Sequence, residues 1–132
     1  MYPSALRHIQ KAVYAALTGN APLMALITGV YDSIPDATDP PYVHISSDTE
    51  ITNGTFSKDG WDCTITLQVY SLGIGFKEAL TIADAVTTVL HRATLTLDSG
   101  SCCYCQKEYQ ETLTPDGILR QVPLRFRVIA ME

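Results

Sequence analysis

The four cysteines are the first candidates for a reactive or metal-binding site in this sequence. Cys102, Cys103 and Cys105 crowd into one segment, and Cys63 is the fourth cysteine of the chain. In a strand, positions 103 and 105 point to the same face, and a neighbouring strand that carries Cys63 would add a third thiolate. Tetrahedral zinc sites instead use C-x₂₋₄-C pairs, usually from turns. The pattern therefore favours small buried thiols over a metal site, and a reducing cytosol disfavours a structural disulfide.

Carboxylates and histidines offer the other candidate chemistry. Asp32, Asp36 and Asp39 share a segment that nothing in the sequence holds in one geometry, so solvated loop residues are a simpler interpretation than a metal or acid–base cluster. The three histidines lie far apart, and no nucleophile has an obvious partner base. Phosphate-loop, nucleophile-elbow and H-E-x-x-H motifs are missing. We therefore predict no catalytic residue, no metal site and no cofactor, and hence a protein that is not an enzyme.

Three arginines, Arg120, Arg125 and Arg127, cluster near the C-terminal end of the chain. Lys107 and Glu108 lie on the strand that we expect to be their neighbour. Cross-strand ion pairing is the simpler interpretation of this cluster. Pairing of the arginines with an acidic neighbouring subunit is the functional alternative.

Composition limits the classes to which the protein can belong. The chain has 132 residues, of which 46% are hydrophobic and 17% are charged, and its mean hydropathy is +0.08. This size predicts a single domain over residues 1–132 that fills its core without a metal or disulfides, and the low charge indicates that some apolar surface contacts a partner. Nine Lys and Arg against fourteen Asp and Glu give a net charge of −5, which disfavours a dedicated nucleic-acid binder. No apolar run is long enough for a membrane span, and no signal peptide opens the chain, so we expect synthesis in the cytosol.

Apolar spacing predicts two main helices. Leu6, Ile9, Val13 and Leu17 fall on one face of a helix over about residues 3–18. A second long helix is predicted over about 73–91, and a short one over about 21–28.

Period-2 alternation predicts the strands, most clearly in the segment that begins at Trp61. The expected strands cover about residues 30–34, 42–51, 61–71, 95–97, 101–113 and 118–130. Pro123 cannot donate a ladder hydrogen bond, so we expect the last strand at a sheet edge or bulged there. Thr114-Pro115-Asp116-Gly117 predicts the turn before this strand.

Two long loops are also predicted. Residues 35–41 contain three prolines and could include a cis X-Pro bond. Residues 52–60 are predicted to form a long β-hairpin loop. Its one aromatic residue, Phe56, either contacts a partner at an interface or folds back onto the sheet edge. The order of elements predicts an α+β fold, with an antiparallel or mixed β-sheet and the two main helices packed on one face.

Taken in order, these landmarks resemble the tail completion or tail terminator proteins of long-tailed bacteriophages and of related gene transfer agents. The matching pieces are Leu6-x-x-Ile9-x-x-Ala12-Val13-Tyr14-x-x-Leu17, Gly29-Val30-Tyr31-Asp32-x-Ile34-Pro35, Pro41-Tyr42-Val43-x-Ile45, Leu67-x-Val69-Tyr70-Ser71, Glu78-Ala79-x-x-Ile82-Ala83-Asp84-Ala85-Val86, Pro115-Asp116-Gly117 and Leu124-x-Phe126-Arg127. The resemblance covers nearly the whole chain. The cysteine triplet is not part of the family's pattern.

The resemblance implies a structural virion protein. Family members are similar to small α+β subunits that assemble, usually as six copies, into a ring at the head-proximal end of the tail tube. Such a ring stops tube polymerisation and joins the tail tube protein to the head–neck connector or stopper protein. We expect assembly in the host cytoplasm, no membrane partner, and a channel through which DNA passes without specific binding.

Interface residues carry over poorly, because the family's motifs look like determinants of the fold. For the ring or partner interface we select Phe56 and Lys58 of the long hairpin loop, Asp36 and Asp39 of the preceding loop, and the strand residues Arg125 and Arg127. A neck or head-completion protein of the stopper type, or a tail-assembly factor, is the nearest alternative function. A small metal or thiol protein that uses Cys102, Cys103 and Cys105 is a more distant one.

Overall fold

The computed structural model describes residues 4–52, 60–97, 102–115 and 117–131. The helices are α1 (Leu6–Thr18), α2 (Ala21–Met24) and α3 (Lys77–Leu90). The strands are β1 (Val30–Tyr31), β2 (Tyr42–Thr52), β3 (Gly60–Ser71), β4 (Thr94–Thr96), β5 (Cys102–Gln110) and β6 (Arg120–Met131). No helix in these described ranges is long and apolar enough to cross a membrane.

The six strands form one mixed sheet in the order β1-β2-β3-β6-β5-β4. β1 is parallel to β2, and the other neighbours are antiparallel. The alternation that begins at Trp61 holds along β3, where Cys63, Ile65, Leu67 and Val69 are buried. Their neighbours on β6, which include Leu124 and Phe126 opposite Leu67 and Ile65, are buried on the same face.

Helices α1 and α3 cover that face. α1 turns Ile9, Val13 and Leu17 inward, and α3 turns Ile82 and Val86 inward, all into the same apolar cluster as the sheet. The predicted α+β class, the mixed sheet and the two main helices on one face are therefore confirmed.

Glu50 of β2 ties the sheet to the start of α1. Its side chain points to the helix-covered face, where Oε1 accepts hydrogen bonds from the backbone N–H of Ala5 at 2.8 Å and from Ser4 Oγ at 3.0 Å. A carboxylate in this position satisfies a free amide of the first turn and interacts favourably with the positive end of the helix dipole. The sequence analysis did not identify this contact.

The second main helix begins four residues later than its spacing predicts, at Lys77. Gly75 has φ +67°, a left-handed conformation that interrupts a helix and that glycine adopts without steric strain. The carbonyl of Gly73 accepts from Arg120 Nε at 3.4 Å, and the Gly73 N–H donates to Ser71 Oγ at 3.0 Å. These contacts hold residues 73–76 as a loop.

Two early elements are also shorter than predicted. α2 ends at Met24, because the Thr28 N–H donates to the carbonyl of Pro41 at 2.8 Å and draws the chain toward the sheet. β1 ends at Tyr31, and the carbonyl of Asp32 next along the chain contacts His44 Nε2 at 3.0 Å instead of continuing the ladder. The Pro40–Pro41 bond is cis, as the loop composition allows.

Pro123 lies in an internal strand, so the expectation that it marks a sheet edge is wrong. Its carbonyl accepts from the Glu111 N–H at 3.2 Å, just beyond the end of β5 at Gln110. Because the N and C=O of a strand residue point to the same side, the missing N–H faces a stretch where the pairing with β5 has stopped. Pairing on that side resumes only at the isolated bridge between Leu113 and Gln121.

The predicted hairpin loop falls largely on residues that the structure does not describe. β2 and β3 pair as antiparallel neighbours as far as Thr52 and Trp61, but residues 53–59, with Phe56 and Lys58, lie outside the described residues. The single-domain expectation for residues 1–132 stays a prediction.

Candidate interaction surfaces

The sheet face opposite the helices is covered by no other element within the described ranges. The strand register places two four-residue rows across its centre, Ser47–Thr66–Arg125–Tyr109 and Thr49–Thr64–Arg127–Gln106. We call these eight residues the polar band. A shallow depression of about 340 Å³ lies over it, lined in part by Ser47, Thr66 and Arg125. Hydroxyl, amide and guanidinium groups therefore dominate the centre of this face.

The two arginines of the polar band are held by carboxylates beside it. Arg127 binds Asp62 with both arms, Nε to Oδ1 at 2.9 Å and Nη2 to Oδ2 at 2.6 Å. The hydrogen bond from Arg127 holds the pKa of Asp62 below its usual value. Arg125 Nε lies 3.7 Å from Glu108 Oε2, and its guanidinium lies 4.9 Å from the centre of the Tyr109 ring. Cross-strand ion pairing, the simpler of the two interpretations, is thus what the structure shows for both residues.

Tyr109 is itself fixed in place by Glu111. Its hydroxyl donates to Glu111 Oε2 at 2.6 Å, and this hydrogen bond raises the pKa of the Tyr109 phenol. Arg120, the third arginine of the cluster, lies outside the polar band, at the start of β6, where it contacts the loop after β3.

One end of the open face is apolar. The next row along the register, Ile51–Asp62–Ile129–Tyr104, crosses four strands, and Met131 follows Ile129 on the same face. Ile51 is 69% exposed, and Tyr104 and Met131 are also exposed. We call Ile51, Tyr104, Ile129 and Met131 the apolar row. Apart from Asp62, which pairs with Arg127, the side chains of this row are apolar, and exposed apolar side chains grouped in this way are typical of a protein contact surface.

The other end of the open face carries tyrosines. Tyr42 packs edge-on against Tyr31, with ring centres 5.9 Å apart, and against Tyr70 at 5.2 Å. Burial, with a smaller contribution from Tyr42, raises the pKa of Tyr70. This end of the face is therefore packed and only partly exposed.

Two loops beyond this end expose large aliphatic side chains. Ile74 is fully exposed and Ile118 is 69% exposed, and Leu72 adds a third such side chain. Arg120 joins the loops, because it contacts the Gly73 carbonyl and lies 5.5 Å over the Phe76 ring. We call Leu72, Ile74 and Ile118 the apolar loop pair. A groove of about 360 Å³ runs beside Ile74, lined also by Leu26 and Ile82.

Of the predicted interface residues, the four that lie in the described ranges are not brought together by the structure. Asp36 and Asp39 are exposed on the loop between β1 and β2, where the Asp39 carbonyl accepts from Thr28 Oγ1 at 3.0 Å. Arg125 and Arg127 lie on the open sheet face. Nothing in the structure tests whether any of these residues contacts a partner, so their interface role stays a prediction.

One carboxylate on the helix-covered side has an altered proton affinity. Burial, and to a smaller extent the charge of Asp32, raises the pKa of Asp48 on β2. Asp48 is only half-buried, and no nucleophile or metal-ligating cluster accompanies it in the described residues. The arrangement gives no reason to assign it a catalytic role.

The described cysteines behave as core residues. Cys63 and Cys105 are buried, and the register places them on either side of Val128 on the helix-covered face. The side chains of Cys102 and Cys103 lie outside what the structure describes. No group of three metal-ligating side chains is found among the described residues.

Comparison with known proteins gives a family and a fold. The family model for tail completion protein gp17 matches residues 11–130. Among solved structures, a chain in the virion of a native gene transfer agent particle superposes with a TM-score of 0.91, at 24% sequence identity, covering 99% of this chain and 100% of that one. No curated protein matches the sequence. The superposition shows that the two chains share one fold.

Proposed function

Because the chain belongs to the tail completion protein gp17 family, we propose that it is the tail terminator subunit of a long-tailed phage or gene transfer agent. Family membership identifies a structural protein of a phage-type tail. The terminator role is the finer statement, and the family match over nearly the whole chain is the observation that carries it.

In this role, copies of the chain close into a hexameric ring at the head-proximal end of the tail tube. The ring blocks addition of further tail tube subunits and presents its other side to the neck proteins of the filled head. Each subunit contacts its neighbours by a heterologous interface, which closes when the rotation between copies divides a full turn evenly.

The exposed apolar side chains support the proposal that the chain assembles with partner subunits. The apolar row and the apolar loop pair lie at opposite ends of the sheet and together contain seven large exposed or partly exposed hydrophobic residues. A subunit that contacts a tube on one side, a neck on the other and copies of itself needs several such surfaces. The low charged fraction of 17% agrees with this.

Membership of a structural tail protein family is the reason to expect no catalysis from this chain. The perturbed carboxylates have structural explanations, since Asp62 is paired with Arg127 and Asp48 is half-buried on the helix-covered face of the sheet. We infer that the protein is not an enzyme.

Purified protein mixed with purified tail tubes tests the proposal. We expect negative-stain images to show a ring at one end of each tube, and light scattering on a sizing column to show whether the ring also forms without tubes. Binding to isolated head–neck complexes with no binding to tubes would instead establish the stopper-type alternative. A monomer that binds neither would contradict both.

A further inference from the structure

We propose that the polar band lines the channel of the ring and faces double-stranded DNA in transit, and that Asp62 and Glu108 keep this face from binding DNA by holding Arg127 and Arg125. The inference rests on the proposed function, which supplies the ring and its DNA. Beyond the proposed function, it identifies the surface of each subunit that faces the channel and explains why that surface does not retain the DNA.

The position and chemistry of the polar band suit the wall of a channel. It spans four neighbouring strands, or ~14 Å across the sheet, with no covering element in the described ranges. Its hydroxyl and amide groups remain hydrated next to a polyanion without adding charge. The helix side of the molecule instead exposes charges of both signs, among them Arg7, Lys77, Glu78 and Asp84, which would interact with passing phosphates if they faced the channel.

The two arginines of the polar band are already occupied by neighbouring side chains. Guanidinium groups favour two-armed contacts with phosphate, and Arg127 already makes such a contact with both oxygens of Asp62. Arg125 lies between the Glu108 carboxylate and the Tyr109 ring. With Glu111 on the Tyr109 hydroxyl, the two cations lie among three anions, so this face carries no excess positive charge for DNA to neutralise with release of counterions.

The location is tested first, by gold labelling of assembled rings. The label is attached at Thr64→Cys on the polar band, in a background with Cys102→Ser and Cys103→Ser, because Cys63 and Cys105 are buried. The matched control is the same label at Thr81→Cys, an exposed position on the opposite, helical side. We expect gold on the ring axis for position 64 and at the periphery for position 81. Peripheral gold at position 64 would overturn the inference.

The role of Asp62 and Glu108 is tested by measuring how a short DNA duplex binds to the rings. Binding is monitored by fluorescence anisotropy over a range of salt concentrations. The variant Asp62→Asn with Glu108→Gln frees both arginines. The control, Asp32→Asn with Asp84→Asn, changes the net charge by the same amount at exposed positions outside the polar band. We expect the first variant alone to gain salt-dependent binding, with a log–log slope steeper by about 1.8 per subunit in contact, or roughly 12-fold between ~50 and ~200 mM salt.

The two failures are distinguishable. Equal DNA binding by both variants, or no gain in the first, would overturn the role of Asp62 and Glu108. Unlabelled wild-type protein that forms no ring, free or on tubes, would overturn the proposed function and this inference with it. Rings that form normally but carry position 64 at the periphery would overturn the inference alone.

Discussion

Replacement of Glu50 probes how the sheet and α1 are joined. In Glu50→Ala, the Ala5 amide loses the acceptor that lies 2.8 Å from it, and Ala5 is fully buried. A buried N–H left without a partner costs about 1–3 kcal/mol, and loss of a carboxylate at a helix N-terminus costs about 0.3–1 kcal/mol more. We therefore expect a loss of about 2–3 kcal/mol in the free energy of unfolding, and a Tm lower by roughly 8–12 °C for a domain of this size.

Glu50→Gln separates the two contributions. The amide oxygen still accepts from Ala5, so only the charge interaction with the helix dipole is lost, and we expect a destabilisation below about 1 kcal/mol. Thr49→Ala is the matched control, since Thr49 is exposed on the opposite face of the same strand and its loss should change stability by less than about 0.5 kcal/mol.

The assay is equilibrium unfolding in urea, followed by the fluorescence of Trp61, which is buried and is the one tryptophan of the chain. The ordering expected is Glu50→Ala least stable, then Glu50→Gln, then wild type together with Thr49→Ala. If Glu50→Ala is as stable as wild type, the hydrogen bond to Ala5 contributes nothing and this explanation of the α1 start is refuted.

Three further outcomes are expected. Asp32→Asn should lower the pKa of Asp48, measured by NMR titration. A carboxyl pKa that is raised in the folded state costs stability as the pH rises through it, so lowering this pKa should slightly increase the free energy of unfolding at pH 7. Ile74→Ser with Ile118→Ser should leave Tm within about 2 °C, since both side chains are exposed, yet reduce the fraction of capped tubes in micrographs. Phe126→Ala should lower the free energy of unfolding by about 3–5 kcal/mol in urea titrations, because Phe126 is a fully buried core residue.

The sequence predicted the elements whose burial pattern is regular. β3 alternates without a break, and the inward positions of α1 follow a 3.6-residue period, so both were predicted to within a few residues. Elements that depend on distant contacts were predicted less well. The start of α3 is set by Gly75 and by Arg120, which is far away in the sequence, and no local pattern shows such a contact.

The same distinction applies to strand order and to the candidate surfaces. The missing N–H of Pro123 suggested an edge strand, because the sequence does not show that β5 stops pairing beside it. The ion pairs of Arg125 and Arg127 were foreseen as cross-strand pairs, whereas the Asp62 partner depends on β6 lying next to β3. The apolar row emerges only from that register, since its members are far apart in the chain.

Growth of tail tubes in the presence of the protein tests the terminator role. Preformed tubes are supplied with excess tail tube subunits, with or without this chain, and tube lengths are measured in negative-stain images. The terminator role predicts that tubes with a ring at one end stop lengthening there, while untreated tubes continue to grow. Tubes that lengthen equally in both samples, with no ring at either end, would contradict it.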